Sequence, residues 1–202
     1  MPRVVDEQMR EATRLRIIHE AAGEFARLGF EQANINTIAE QAGIGKGTIY
    51  LYFENKRELF LAMLRHIAQE QLSSIRGALA ISGTFYERLV SLFHAFVRLA
   101  SQERDHFNVY MSALFGVNRA FKTEATKLLR DYVAVIAMVL EEARLSGEIH
   151  VVDVEATALM LLSLTESYVL YAGVLDVSEE EILQRANLVA STLMQGIRSS
   201  NK

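Results

Sequence analysis

The chain contains no cysteine and only one proline, and each absence narrows the class of protein. Without cysteine there is no disulfide, no thiolate nucleophile and no cysteine-bound zinc. A chain without disulfides suits the cytoplasm, where we expect this protein to act. The single proline is Pro2, so no proline ring interrupts a helix further along the chain. We therefore predict an all-α fold with long helices, about nine in number.

Strong positive charge is also missing. The formal net charge is -4 over 202 residues, whereas a nucleic-acid-binding protein usually carries a basic footprint. Positive charge is nevertheless present locally, because residues 43–57 contain Lys46, Lys56 and Arg57 against Glu54 alone. Any surface of this chain that contacts DNA is therefore expected to be small and local.

No segment of the sequence reads as a signal peptide or a membrane span. The N-terminus is charged and lacks the apolar core of a signal peptide. The most apolar run covers residues 154–175, but Glu155 and Glu166 interrupt it. Because charged residues are rare inside the bilayer, we predict a buried helix here and no membrane partner.

Apolar residues recur at spacings of three and four along most of the chain, which indicates amphipathic helices. The first helix is predicted from about Arg10 to Leu28, and Gly29 is placed to end it. Asn34, Asn55, Thr84, Asp153 and Ser178 are placed to begin later helices, because their side chains can accept from an unpaired helix N–H. The later predicted helices include about 35–42, 46–53, 104–115, 119–145, 153–172 and 178–199.

Residues 35–53 read as two short helices joined by a glycine turn. Ala39 is small enough for two backbones to approach, and Gly43 can adopt the left-handed turn conformation. This spacing is typical of a helix-turn-helix, whose second helix lies in the major groove of DNA. The side chains predicted to face inward are Ile38, Ala42, Ile44, Ile49 and, in part, Tyr52.

The outward face of the second helix carries groups that suit DNA. Lys46 lies in the first turn of this helix, where its positive charge is unfavourable beside the positive end of the helix dipole. A contact with a phosphate or a guanine edge would offset this unfavourable interaction. Gly47 costs about 1 kcal/mol relative to alanine inside a helix, and its use would be a close approach to the DNA backbone. The Thr48 methyl can contact thymine. Phosphate contacts are predicted for Tyr50, Tyr52 and Lys56. The alternative is an ordinary helical hairpin with a polar surface.

The same segment resembles the signature of the TetR family of bacterial transcriptional regulators. The family pattern I-A-x-x-A-G-V-S-x-G-T-x-Y-x-Y/H-F-x-x-K-x-x-L is followed from Ile38 to Leu59, and A-x-x-x-F-A-R-L-G-F is followed over residues 21–30. One departure is Gly45, where the family often has serine, and the missing hydroxyl predicts a modest loss of DNA affinity. The resemblance implies DNA contacts at Asn34, Asn36, Thr37, Gly45, Lys46, Gly47, Thr48, Tyr50, Tyr52 and Lys56.

The resemblance also implies the domain organisation. A three-helix helix-turn-helix DNA-binding domain would cover residues 1–55, and a helical effector-binding and dimerisation domain would cover residues 56–202. The protein would act as a homodimer on double-stranded DNA with a palindromic operator, usually as a repressor. Apolar stripes on the last two helices are predicted to form the dimer interface, with ordinary core as the alternative. The stripes are Leu159, Leu162, Thr165 and Val169, followed by Ile182, Ala186, Val189, Ala190, Leu193 and Ile197.

A small, largely apolar effector is expected in the second domain, because aromatic and methionine side chains are abundant there. Resemblance to fatty-acid-responsive members of the family suggests a fatty acid or an acyl-CoA. Glu166 lies within an apolar stretch, where it could recognise a cation or a hydroxyl of the ligand or could pair across the dimer. An exposed position is the alternative. The predicted ligand-binding side chains are Phe93, Phe96, Phe107, Tyr110, Met111, Phe115, Tyr132, Met138, Glu166 and Tyr168.

Two other functions stay open at this point. Glu103 and His106 have the Glu-x-x-His spacing of a di-iron ligand pair, but no second such pair is present for a metal-binding helical enzyme. No phosphate-binding loop or nucleophile elbow appears. A helical lipid carrier is the other alternative, and the helix-turn-helix pattern argues against it. The sequence therefore favours a DNA-binding regulator over an enzyme.

Overall fold

The all-α prediction is confirmed. A computed structural model describes residues 2–115, 121–175 and 177–197, which form helices joined by short connections. The predicted start of a helix at Arg119 and the predicted end of the last helix at Ser199 lie outside the described residues. The helices are α1 (Pro2–Gln32), α2 (Ile35–Gln41), α3 (Lys46–Tyr52), α4 (Lys56–Leu79), α5 (Phe85–Gln102), α6 (Arg104–Phe115), α7 (Lys122–Leu145), α8 (Val154–Val174) and α9 (Glu179–Ile197).

The ends of the helices follow the signals in the sequence, with one exception. Gly29 has φ 71° and ψ 172°, which is not helical, so the regular part of α1 stops where expected. The Asn34 side chain accepts from the Asn36 N–H at 2.9 Å and caps α2. At its other end α1 begins at Pro2, about two turns before the predicted start. Residues 7–10 are exposed and carry no apolar stripe, so helical periodicity could not reveal this extension.

Helix α5 begins with a complete capping box. The Thr84 hydroxyl accepts from the Glu87 N–H at 3.3 Å, and the Thr84 N–H donates to the Glu87 carboxylate at 2.7 Å. This backbone hydrogen bond, joined by one from the Thr84 hydroxyl, lowers the pKa of Glu87 below its ordinary value. Asp153 caps α8 in the simpler way, accepting from the Ala156 N–H at 2.9 Å.

The chain divides into two compact units. Unit 1 contains Met1–Gln69 and Asp105–Thr126, and unit 2 contains Glu70–Arg104 and Lys127–Lys202. Helix α4 thus contributes its first part to unit 1 and its last part to unit 2, and α6 belongs to unit 1. Compactness does not test which residues bind DNA or an effector, so the functional division at residue 55 stays a prediction.

Each unit has its own apolar interior. In unit 2, α5 packs against α8 and α9, and the two units bury large side chains almost completely. In unit 1 these include Ile17, Ile18, Ile38, Ile49, Leu59 and Met63, and in unit 2 they include Leu92, Phe93, Tyr132, Leu140 and Leu162.

The apolar stripes predicted as a dimer interface are only partly buried in their own chain. Leu159 is 44% exposed, Val189 and Leu193 are half-buried, and the Ile197 side chain lies outside the described part of the structure. Leu162, Thr165 and Val169 of α8 are 0–5% exposed, and the same holds for Ala186 and Ala190 of α9. The opposite face of α8 is exposed although it is also apolar, with Met160 at 62% and Tyr171 at 65%. No described helix combines the length and the hydropathy that crossing a bilayer requires.

The turn between α2 and α3 is a Schellman motif centred on Gly43. The Ile44 N–H donates to the Ala39 carbonyl at 2.9 Å, and the Gly43 N–H donates to the Glu40 carbonyl at 3.0 Å. These are the two bonds that define the motif, and Gly43 supplies the positive φ of 66° that it requires. Gly43, which the sequence predicted to be left-handed, is therefore the residue that sets the direction of α3 relative to α2.

We expect Gly43→Ala to lower the free energy of unfolding by about 1–2 kcal/mol, because an L-residue is strained at positive φ. The space around the added Cβ is open, so the loss would come from backbone strain alone. Gly77→Ala is the matched control, since Gly77 also faces open space but lies within α4. This variant should gain about 0.5–1 kcal/mol. Urea unfolding followed by circular dichroism measures both, and equal stabilities would refute the assigned turn.

Candidate nucleic-acid interface

The inward face of the helix-turn-helix is the one predicted. Ile38, Ala39, Ala42 and Ile49 are at most 2% exposed and belong to the core of unit 1. Ile44 and Tyr52 are partly buried and pack against the same core, as expected. Burial of one face leaves the other face of α3 as a free surface.

That free surface carries four of the ten predicted DNA contacts. Lys46, Gly47 and Tyr50 are exposed, and Thr48 is half-buried beside them. Leu51 is 75% exposed, although the sequence analysis did not single it out. An exposed leucine on this face can contact a thymine methyl in the major groove. The sequence could have indicated that Leu51 is exposed, because Leu51 follows Tyr50 in a helix whose inward positions are assigned to other residues.

The start of α2 is fixed by a buried carboxylate. Glu24 is 2% exposed, and its Oε1 accepts from the Asn34 N–H at 3.1 Å while its Oε2 accepts from Arg27 at 2.5 Å. The Asn34 side-chain oxygen is used to cap α2, so its amide group is what remains for DNA. Asn36 is exposed and Thr37 is half-buried on the first turn of the same helix. The predicted contacts on α2 are thus presented from a rigidly held helix start.

Gly45 is the N-cap of α3 and makes no side-chain capping bond. Its φ of −72° is accessible to any residue, and a Cβ added there would come no closer than 3.9 Å to the Thr48 hydroxyl. The backbone therefore does not require glycine at this position. A loss of DNA affinity from the missing serine hydroxyl stays a prediction.

Lys56 makes contacts within unit 1 that the sequence did not reveal. Its Nζ donates to the carbonyl oxygens of Glu31 at 2.9 Å and Ala33 at 2.8 Å, and it lies 5.0 Å from the centre of the Phe30 ring. The ammonium group thus ties the first turn of α4 to the end of α1. A phosphate contact by Lys56 stays a prediction, and it would have to coexist with this structural role.

Two arginines of α1 lie beside α3 and were missed from the sequence. The guanidinium carbon of Arg10 is 5.9 Å from the centre of the Tyr52 ring, and that of Arg14 is 5.7 Å from the centre of the Phe53 ring. Both contacts are of the cation–π type. They bring positive charge to the end of α3 from the first turns of the predicted part of α1. A contact between two separate helices is not contained in the periodicity of either helix.

The predicted ligand-binding side chains are divided between the two units. Those on α6 belong to unit 1, and the others belong to unit 2. Phe115 and Met138 are 72% and 58% exposed, which does not favour the enclosed apolar site predicted for them. The unit 1 set is Phe107, Tyr110, Met111 and Phe115, and the unit 2 set is Phe93, Phe96, Tyr132, Met138, Glu166 and Tyr168.

A cavity of about 210 Å³ lies within unit 1, and none of the predicted ligand-binding side chains lines it. Its walls come from the end of α1, the first part of α4 and α6, together with Phe121. Rings of Phe30, Phe60 and Phe121 contact one another around it, with centres 4.1–5.3 Å apart. A second cavity, in unit 2, is lined by Thr84, Tyr86 and Glu148 and by Ser191, Met194 and Gln195 of α9.

Polar groups are buried in unit 2. The Tyr132 hydroxyl donates to the Gln71 side-chain oxygen at 2.6 Å, and Gln71 is only 4% exposed. Glu166 is 4% exposed, so the interior location is the correct one of the two considered for it. Burial raises the pKa of Tyr132 well above its ordinary value, and the negative charges of Glu166 and then Asp131 add to the effect. Tyr132 is therefore a neutral hydrogen-bond donor at ordinary pH.

The Glu103 and His106 pair gains no support as a metal site. His106 is buried in unit 1 with its ring 6.1 Å from that of His19, in an edge-to-face arrangement. Within the part of the chain that the structure describes, no three histidine, aspartate or glutamate side chains are grouped so as to hold a metal ion.

Comparison with known proteins places this geometry in a family. The model of the bacterial regulatory proteins of the tetR family matches residues 17–63, and that of the tetracyclin repressor-like C-terminal domain matches residues 82–169. The fatty acid metabolism regulator protein of Bacillus subtilis is 24% identical over 186 residues, covering 92% of this chain and 95% of that protein.

Solved structures agree on the fold. The fatty acid degradation regulator FadR from Bacillus halodurans superposes with a TM-score of 0.79 at 22% identity, covering 91% of this chain and 98% of that one. FadR from Bacillus subtilis, solved in complex with stearoyl-CoA, gives 0.77 at 23% identity, covering 91% and 99%. The arrangement of helices described above is thus shared along nearly the whole of both chains.

The two lysines at this surface should respond differently to removal of their charge. Lys46→Met should reduce the salt dependence of DNA binding by about two for a dimer, one phosphate contact per subunit, with little change in stability. Lys56→Met should lower the free energy of unfolding by about 1–2 kcal/mol, because its charged hydrogen bonds to two carbonyls are lost. Salt titrations of binding and urea unfolding separate the two. Unchanged stability of the Lys56 variant would contradict the structural role.

Proposed function

Because the chain belongs to the TetR family of bacterial regulatory proteins, we propose that it is a repressor released from a palindromic operator by a long-chain acyl effector. It is a DNA-binding transcriptional regulator with the helix-turn-helix of that family. Since its DNA lies in the bacterial cytoplasm, that is the location we propose for it. The alternatives of a lipid carrier and a metal enzyme gain no supporting observation.

The observation that carries the DNA-binding part is the free face of α3. Lys46, Gly47 and Tyr50 are exposed there, while Ile49 of the same short helix is buried. The Lys46 ammonium and the Tyr50 hydroxyl can each contact a phosphate of the DNA backbone. Gly47 has no side chain, so the sugar-phosphate backbone can approach α3 closely there. Arg10 adds charge from α1, so the local surface is more basic than the motif alone suggested.

The acyl effector rests on two supports. This chain is similar over nearly its whole length to regulators of fatty acid metabolism, one of which was solved with stearoyl-CoA. The interior of unit 2 combines buried aromatic rings at Phe93 and Phe96 with polar groups at Tyr132 and Glu166. Apolar walls with a few placed polar groups are what a ligand with a long chain and a polar head requires.

The homodimer is proposed to form through the exposed face of α8. Met160, Leu164 and Tyr171 follow one side of that helix at spacings of four and seven, with Ser167 between them. They are 43–65% exposed, and a contiguous apolar surface of this kind marks an interaction site. In this family the occupant is a second copy of the chain, which brings the same face across a two-fold axis.

Stearoyl-CoA should release operator DNA from the purified protein. The operator can be selected from random duplexes, and fluorescence anisotropy then measures binding as the effector is added. A ligand that binds only the DNA-free state at a hundred times its dissociation constant should weaken DNA binding by about a hundredfold. Coenzyme A alone is the control. Equal DNA affinity at every concentration of stearoyl-CoA would refute the acyl effector and leave the DNA-binding assignment untouched.

Leu164→Glu should convert the protein to a monomer, because two copies of the new carboxylate would meet across the two-fold axis in an apolar contact. Met138→Glu is the matched control, since Met138 is 58% exposed, against 43% for Leu164, but lies on α7. Sedimentation velocity measures both variants. A dimeric Leu164 variant would show that the interface lies elsewhere.

A further inference from the structure

An aromatic cavity is formed by unit 1 alone and shares no residue with the side chains proposed for the acyl effector in unit 2. Its volume is about 210 Å³, and its described walls come from the end of α1, the first part of α4, α6 and Phe121. The rings of Phe25, Phe60 and Phe121 are only 3–5% exposed and belong to the core of this unit. The cavity is therefore built into the folded core that presents the helix-turn-helix.

The volume of the cavity limits the size of a molecule that binds there. Sites for drug-sized ligands have volumes of about 300–1,000 Å³, whereas an apolar cavity of about 150 Å³ accepts benzene. At about 210 Å³, the cavity of unit 1 lies between these two classes. It therefore suits a molecule of one or two rings and is too small for a long acyl chain with its head group.

The arrangement of the phenylalanine rings favours an aromatic molecule. Phe30 meets Phe60 at 74° and Phe121 at 69°, with ring centres 5.3 and 4.7 Å apart. Phe25 meets Phe60 at 88° with ring centres 4.9 Å apart. In such edge-to-face contacts the positive edge of one ring lies against the negative face of another. A planar aromatic ligand can extend this set of contacts, whereas an aliphatic molecule has no such edge or face to offer.

The walls also favour a neutral ligand that enters from solvent. Leu28 is 37% exposed and Ser112 is exposed, so the cavity reaches the surface of unit 1 at these residues. An ion placed among phenyl rings loses its hydration without compensation. The Lys56 ammonium, 5.0 Å from the centre of the Phe30 ring, already donates to two backbone carbonyls, so an anion would have to compete with these bonds. The Ser112 hydroxyl is placed to meet a hydroxyl or an N–H of the ligand.

We propose that this cavity is a second ligand site, which binds a neutral aromatic molecule of one or two rings, such as a phenol, an indole or a naphthol. The site is distinct from that of the acyl effector, because its described walls all belong to unit 1. Its ligand contacts Phe30, which precedes the Glu31 carbonyl that Lys56 holds. The ligand therefore binds at the connection that leads from α1 to the helix-turn-helix.

The probe is 2-naphthol, because it has two rings, is uncharged at neutral pH and fluoresces. The chain has no tryptophan, so the naphthol can be excited beyond the tyrosine absorption band and followed in the full-length protein. Fluorescence anisotropy should show one site per chain with a dissociation constant on the order of 0.1 mM. The ion 2-naphthoate, which has the same rings and a carboxylate, should bind at least tenfold more weakly. An excess of stearoyl-CoA should leave the binding of 2-naphthol unchanged.

Ser112→Phe should lower the affinity for 2-naphthol at least tenfold, because the added ring takes up space in the cavity, and an exposed position tolerates the change. Ala113→Leu fills the cavity from its buried wall and should give the same loss. Ser73→Phe is the matched control, since Ser73 is an exposed serine of α4 that does not line the cavity, and it should leave the affinity unchanged. Circular dichroism confirms that each variant is folded.

Absence of 2-naphthol binding by the wild-type protein would overturn the inference. So would displacement of 2-naphthol by stearoyl-CoA, equal affinity for 2-naphthol and 2-naphthoate, or an unchanged affinity in both the Ser112 and the Ala113 variant. Release of operator DNA by stearoyl-CoA tests the proposed function separately, so the two can fail independently.

Discussion

The presentation of α3 depends on how the connection between α1 and α2 is held. Gly29 interrupts α1, which leaves backbone groups without helical partners. Glu24 accepts from the Asn34 N–H, and the Lys56 ammonium donates to the carbonyls of Glu31 and Ala33. The buried Glu24 carboxylate of α1 therefore pairs with a backbone N–H of this connection, and the Lys56 ammonium of α4 pairs with its backbone carbonyls. The helix-turn-helix is fixed at its entrance and its exit before any DNA contact is made.

This arrangement reconciles a DNA-binding protein with a net charge of -4. A helix pair held this firmly needs few contacts, because little conformational freedom is lost on binding. Positive charge is placed where it acts, at Lys46 on α3 and at Arg10 and Arg14 of α1 beside it. Most of the acidic surplus lies after residue 70, because residues 1–70 contain 9 Lys and Arg against 10 Asp and Glu, and the remaining residues contain 12 against 15.

The sequence predicted what local signals encode. Caps such as Asn34 and Thr84 and the turn at Gly43 depend on neighbours a few residues away, and the structure has them where expected. The bonds of Lys56 span more than twenty residues, so no local pattern contains them. Helix α8 is apolar on both sides, which is why periodicity could not show that Leu162 faces inward and Leu164 outward. The polar partner of Tyr132 was missed because Gln71 on its own reads as a surface residue.

Helix α3 is too weak to form alone. It has seven residues, it begins at a glycine without a side-chain cap, and Gly47 with the β-branched Thr48 and Ile49 lowers its intrinsic propensity. Isolated helices of this length are not stable in water. Its structure is therefore supplied by the burial of Ile49 and of Phe53, which follows its last residue. Since the DNA surface exists only while these side chains are packed, the affinity for DNA is linked to the stability of the unit 1 core, including residues that never touch DNA.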